Sequence, residues 1–529
     1  VKGIAVIFIG VSLLFVNRTA RGQSVPPDRF DRALRELQER IAALEDQNLD
    51  LREQLQSSSG RSRVLTVSDE ATRVDPLASK RQSTGSSDPQ PPAAMTFDEL
   101  LMLSTQTSER LTSLEDELKQ AAAEEAEAAA KKKEEDAKKP KKWFEKYSLR
   151  GYTQFRFSEV LDNDGPARPQ LVADSSVGDN QSFLIRRARL VLSGDVSDHL
   201  SLYIQPDFAV TTPGSPDANH FTQLRDLYAD IYLDDNKEVR FRVGQSKVPY
   251  GWDNLQSSQY RLPLERNDAI NSATRNERDL GIFLYWTPVE IQELFTYIND
   301  SGLKGSGNYG MLGLGLYNGQ GGSFREQNDD LHAVARFTYP FWLNQCQLVE
   351  FSLQGFTGQY SVLSTAISPL GVGAPVRPTG TVETGSDGIQ DERIAATFVY
   401  YPQPFGFQSE WSVGRGPALN DIQRNVDDAA LYGGYAQIMY RQKLEKGEFW
   451  PFARWNYYKG GYRSERNAPF TEIQEWEFGT EWQFSKSLEL VTMYTLTDRT
   501  NTTALSSAGA RSYQQFNGQL LRFQLQFNY

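Results

Sequence analysis

The sequence holds one cysteine and three histidines among 529 residues. A lone thiol, Cys346, cannot form an intramolecular disulfide, and with so few imidazoles a zinc cluster has no ligand set. His199, His220 and His332 are scattered, with no serine and acid at triad spacing. No G-x-S-x-G, H-E-x-x-H, P-loop or C-x-x-C occurs, so an enzyme, a cofactor or a metal site is not expected. Also missing is any run of about 18 apolar residues, which leaves no helical membrane span. A net charge of −12 argues against a nucleic-acid partner. What is abundant instead is aromatic side chain (12%) and glycine (40 residues), a profile that points to sheet.

The first 142 residues read as four segments. Lys2, an apolar run from Gly3 to Val16 and the small-residue pattern Ala20-Arg21-Gly22 predict a secretory signal peptide over 1–22, hence export. Over 23–56, Phe30, Leu34, Leu37, Ile41, Leu44, Asn48, Leu51 and Leu55 alternate at spacings of four and three, the seam of a coiled coil, so the chain is expected to be a homo-oligomer. Residues 57–95 read as a flexible linker, and 96–142 as a helical Ala/Glu/Lys-rich spacer.

From Trp143 the periodicity becomes two. Leu521, Phe523, Leu525, Phe527 and Tyr529 alternate with Arg522, Gln524, Gln526 and Asn528, giving one wholly apolar face and one polar face. In a transmembrane barrel the apolar face meets lipid and the polar face lines a wet lumen. Similar segments recur, joined by connections that are alternately short and long, and they predict sixteen antiparallel strands over 143–529. Gln292 to Asn299 is read as an extended turn, because an added strand would make the number odd. The expected class is therefore an all-β membrane protein, a sixteen-stranded barrel in outer-membrane lipid, with the coiled coil in the periplasm.

The blocks Phe183 to Leu190, Leu224 to Tyr232, Arg240 to Tyr250 and Leu264 to Arg266 resemble those of the phosphate-selective porin O and P family. That resemblance implies a trimeric sixteen-stranded outer-membrane porin whose third long loop folds inward to constrict the channel. It places Arg261 and Arg266 near the narrowest point, with Arg275 and Arg278 as further candidates on the segment from Lys247 to Asp279. The bare residues equally suit an exterior loop whose arginines pair with Asp253, Glu265, Asp268, Glu277 and Asp279.

Parity alone assigns Arg150, Arg156, Arg187, Arg189, Arg240 and Arg242 to the lumen, and Lys247, at the start of the long segment, is added to the same anion path. At mid-bilayer on the lipid side each would cost about 2–4 kcal/mol. Same-face neighbours lie about 6.5 to 7 Å apart, a step between successive weak anion sites. Arg186 breaks the parity and is expected at the headgroup level or in a local pair. Asp207, Asp226 and Asp230 share lumen parity as countercharges, and Glu475, Glu477 and Glu481 suggest an acidic far wall. From Trp143 onward the chain has 34 basic and 44 acidic residues, so the family's substrate cannot simply be copied. The expected function is passive diffusion of small hydrophilic solutes, anions such as phosphate foremost. The alternatives are a general or cation- and sugar-permeable porin, or an anchor tied to peptidoglycan through the coiled coil. Gly305-Ser306-Gly307-Asn308-Tyr309-Gly310 fits G-x-G-x-x-G but precedes a strand, so it reads as a Gly-rich turn.

Overall fold

The computed structural model describes residues 143–163, 177, 182–209, 222–344, 346–369, 373–501 and 514–529, together with positions 102 and 106. The signal peptide, the coiled coil, the linker and nearly all of the helical spacer lie outside the described residues, as does what they imply for the cell wall. Lys141–Tyr529 forms one compact unit.

Its strands are β1 (Tyr147–Asn163), β2 (Ser182–Ser197), β3 (Leu200–Asp207), β4 (Gln223–Tyr232), β5 (Val239–Lys247), β6 (Arg278–Trp286), β7 (Leu312–Tyr317) and β8 (His332–Asn344). They continue as β9 (Gln347–Tyr360), β10 (Ile389–Tyr400), β11 (Phe405–Leu419), β12 (Val426–Tyr440), β13 (Glu448–Gly461), β14 (Phe470–Ser485), β15 (Leu488–Asn501) and β16 (Gln514–Asn528). Gln442–Lys443 prolongs the β12 side against β13. Each strand pairs antiparallel with the next, and β1 pairs with both β2 and β16, so the sheet closes on itself. The wall thus has the expected sixteen strands and no free edge.

The alternation has the physical meaning read from the sequence. On β8 the outward Phe337, Tyr339 and Phe341 are 41, 43 and 36% exposed, whereas the inward Arg336 and Thr338 are 2 and 1% exposed. On β16 the same inversion sets Phe523 and Phe527 outward and Arg522, Gln524 and Gln526 inward. An apolar exterior over a polar interior is stable only with lipid outside.

One connection departs from expectation. Gln292 to Asn299 is not an extended turn but most of a helix, Val289–Asp300, whose buried Ile291, Phe295 and Ile298 fall at helical spacing. This helix packs over the turn-side mouth against Leu348, Val399 and Tyr401, so burial of that stripe decides its conformation.

The loop between β5 and β6, residues 248–277, runs inside the barrel. It contains the short helices α1 (Trp252–Leu255) and α2 (Asp268–Asn271), which makes the helix at Val289–Asp300 α3. Four apolar patches on the inner wall receive it, the first formed where Val248, Tyr250 and Ala273 meet Phe283, Tyr285, Tyr317 and Phe356. Trp252 joins the α3 cluster, Leu262 and Leu264 meet Met439, Trp450, Phe452, Val491 and Met493, and Ala269 meets Leu431, Tyr458 and Ile473. Each large side chain buried this way contributes about 1.5–3 kcal/mol. Gly251 begins the inward course at φ +82°, and a Cβ there would lie 2.3 Å from Ile270 Cγ2.

Candidate functional site in the barrel lumen

The inward loop binds walls on every side of the lumen. Glu410 of β11 accepts from the backbone N–H groups of Trp252 and Asp253, and Glu350 of β9 accepts from the Trp252 indole. Asn267 donates to Gly434 O of β12 at 3.0 Å and to Asn456 of β13 at 3.1 Å. On the opposite side Gln154 of β1 donates to Ser258 O at 2.9 Å. The exterior-loop alternative is therefore excluded.

At the centre of this arrangement stands Glu265. Arg156 and Arg187 reach it at 2.8 Å and Arg186 at 2.9 Å. Burial works to raise its carboxyl, but these three guanidiniums prevail and hold it well below the usual carboxylate range. Arg186 is thus in the lumen and paired, which corrects the headgroup placement, one of the two alternatives the sequence left for it. The cause is a β-bulge: Gln154 pairs with Arg187 and Phe155 with Ile185, so Arg186 is an extra residue that turns inward beside its neighbour. The same device acts on β4. Gln205 pairs with Asp226 and Pro206 with Leu224, which turns Arg225 into the lumen as well.

Arg225 belongs to a second cluster. Glu277 accepts from Arg225 at 2.9 Å, Arg266 at 2.7 Å and Arg278 at 2.6 Å, and Arg278 also reaches Asp226 at 2.9 Å. Burial again opposes ionisation and the arginines again hold the Glu277 carboxyl well down. Arg189 pairs with Asp207 at 2.7 Å, and Arg242 grips Asp230 through two bonds of 2.8 Å, with Arg240 at 3.7 Å. Asp207, Asp226 and Asp230 are therefore each bound to a lumenal arginine.

The remaining candidates have no carboxylate partner among the described residues. Lys247 donates to Leu255 O and Gln256 O at 2.7 and 3.1 Å. Arg261 donates to Pro263 O and Leu264 O, leaving Nη1 buried without a partner. Burial and repulsion from Arg266 and Arg187 lower its guanidinium. Arg275 lies over the Phe324 ring at 3.5 Å, and Arg150 faces the lumen exposed.

The far wall is not a bare acidic surface. Glu477 meets Arg454 and Arg522, Glu475 meets Arg499, and Glu481 meets Lys304 at 2.7 Å. Arg454 and Arg499, together with Arg336 and Arg393, also face inward and were not singled out from the sequence, although period-two parity on β8, β10, β13 and β15 carried the signal. Arg522 stands on the polar face expected of the last strand, whereas Lys304 lies in the connection after α3, where no strand parity applies. For Arg186 and Arg225 the signal was a pair of consecutive charged residues inside a strand.

Two cavities open on either side of the loop. The one toward the long loops measures about 380 Å³, and the one toward the short turns about 730 Å³. Arg189 lines both. Arg261 and Arg266 line neither, since they sit within the body of the loop, whereas Arg275 lines the loop-side cavity and Arg278 the turn-side one.

A family model described as phosphate-selective porin O and P matches residues 170–529. No curated protein matches the chain. Among solved structures it is similar to OmpT, an outer membrane protein of Vibrio cholerae, at 8% identity and a TM-score of 0.43, covering 72% of this chain and 97% of that one. It is similar also to the outer membrane channel DcaP of Acinetobacter baumannii, at 10% identity and a TM-score of 0.42, covering 72% and 97%. The anion-selective porin from Comamonas acidovorans is similar at 10% identity and a TM-score of 0.40, covering 72% and 99%. With the family model spanning every barrel strand but β1, and with an apolar outer wall closed around a charged lumen, the chain belongs to the phosphate-selective porin O and P family of outer-membrane porins.

Proposed function

We propose that this porin conducts small anions passively, inorganic phosphate among them, and that it does so as a homotrimer, the assembly that the family resemblance implies. The observation that carries the proposal is the loop-side cavity. Seven of its lining residues are arginines, against four carboxylates. The field inside a narrow pore depends on nearby charge more than on the net charge of the protein, so an acidic chain can present a cationic mouth. An anion there exchanges part of its hydration for guanidinium contacts, while the neighbouring carboxylates keep each contact weak enough to be left. Arg189, common to both cavities, is the step from one to the other.

The test is the reversal potential of the purified protein in a planar bilayer under a KCl gradient, followed by titration of phosphate against the chloride current. Anion selectivity with phosphate block is the expected outcome. Cation selectivity, or no preference, would remove the anion assignment and leave a general porin.

A further inference from the structure

The two cavities differ in chemistry. Five tyrosines, Tyr152, Tyr203, Tyr228, Tyr260 and Tyr309, line the turn-side cavity, against two on the loop side. Most of its cations are already engaged: Arg189 by Asp207, Arg242 by Asp230, Arg278 by Asp226 and Lys304 by Glu481. Two of these rings stack. Tyr203 lies against Tyr228 with centroids 5.0 Å apart and planes 7° apart, and the Arg242 guanidinium sits 3.8 Å from the centroid of Tyr228 and 5.5 Å from that of Tyr309. The Tyr152 hydroxyl is taken up by Ser258, but those of Tyr203, Tyr228 and Tyr309 bond no described residue.

The Gly-rich segment that looked like a bare turn builds one side of this cavity. A Cβ at Gly305 would lie 2.4 Å from Ile298 Cγ2, so only glycine lets the chain lie against α3 there. Gly307 turns at φ +95°, and Asn308 O accepts from Arg240 at 2.6 Å, which fixes the backbone next to Tyr309.

We infer that the turn-side cavity is a subsite for the ring of an organic anion, of the chemical class of the sugar phosphates. The inference rests on the anion reading above and narrows it. Bare phosphate can accept from a phenol hydroxyl but gains nothing from the ring faces, and it needs far less than 730 Å³, whereas that volume falls within the about 300–1,000 Å³ of small-molecule sites. A wholly apolar guest would leave the phenol hydroxyls and the Arg150 guanidinium without partners, which is costly in a partly desolvated site. A sugar ring offers carbon-bound hydrogens to the ring faces and hydroxyls to the phenols, while its phosphate meets Arg150 and Lys247.

The experiment compares glucose 6-phosphate, inorganic phosphate and glucose as blockers of the chloride current through the full chain in planar bilayers. Glucose 6-phosphate is expected to half-block at a concentration about 5-fold below either of the others. Tyr203→Ala and Tyr309→Ala are each expected to raise its half-blocking concentration about 5-fold and to leave that of inorganic phosphate unchanged. A far-ultraviolet circular dichroism spectrum matching that of the wild type certifies the fold of each variant, and Tyr309→Phe, which retains the ring, is expected to lose less than Tyr309→Ala. Equal block by the two phosphates, or a tyrosine effect common to both, overturns the subsite while an anion-selective reversal potential keeps the porin's anion path. A cation-selective potential overturns both.

Discussion

Glu265 places one carboxylate among three arginines. Glu265→Gln removes the carboxylate that Arg156, Arg186 and Arg187 share. Losing one member of a buried charge cluster costs about 3–5 kcal/mol. The expected outcome is a less stable barrel by denaturant titration together with a larger anion preference in the reversal potential, a combination that simple unfolding does not produce. The pH dependence has a definite sign. Because the folded carboxyl is held below its unfolded value, its contribution is complete above about pH 4.3 and is lost as the pH falls from there through the lower folded value. The difference in selectivity between the wild type and Glu265→Gln is accordingly expected to stay constant from neutral pH down to about 4.5 and to shrink only in stronger acid, as bilayer recordings of both across that range would show.

Among the elements, β2, β4 and the inward loop do most to shape the site. Parity assigned Arg187 and Arg189 to the lumen correctly in geometry, since on a strand held against lipid the two faces are chemically opposite. It misplaced Arg186 and passed over Arg225, because a bulge is a property of two strands in register and not of one strand alone. The loop illustrates the same limit. Its length and charge were plain in the sequence, but its landing points on β9, β11, β12 and β13 are more than 80 residues away along the chain. Trp252 is the principal attachment, with its indole N–H on Glu350 and its ring among Leu348, Val399 and Tyr401. Trp252→Ala should cost about 3–5 kcal/mol and free the α1 end of the loop from the wall. Single-channel conductance is expected to rise and to become noisier, and unchanged conductance would show that the remaining contacts hold the loop without it.

At the scale of the whole molecule, the barrel is a sheet whose two faces obey opposite solvents. Ile282 lies outward in the middle of β6 and is 54% exposed, so Ile282→Arg should destabilise insertion into vesicles by about 2–4 kcal/mol. Gln408→Arg, inward on β11, should be tolerated in comparison, and equal penalties at the two positions would contradict the assignment of faces. The sequence by itself determined the strand number, the direction of nearly every side chain and the division between short turns and long connections. Those follow from alternation, which is local and is imposed by lipid on one side and water on the other. Only the tertiary structure decided which charges meet, where the loop lies, and that α3 and the Gly-rich segment cover the turn-side mouth. These depend on closure of the sheet, which brings β1, β2 and β13 around one residue of the loop, Glu265, from positions that the chain separates by as many as about 300 residues. No periodicity in a single strand records that encounter.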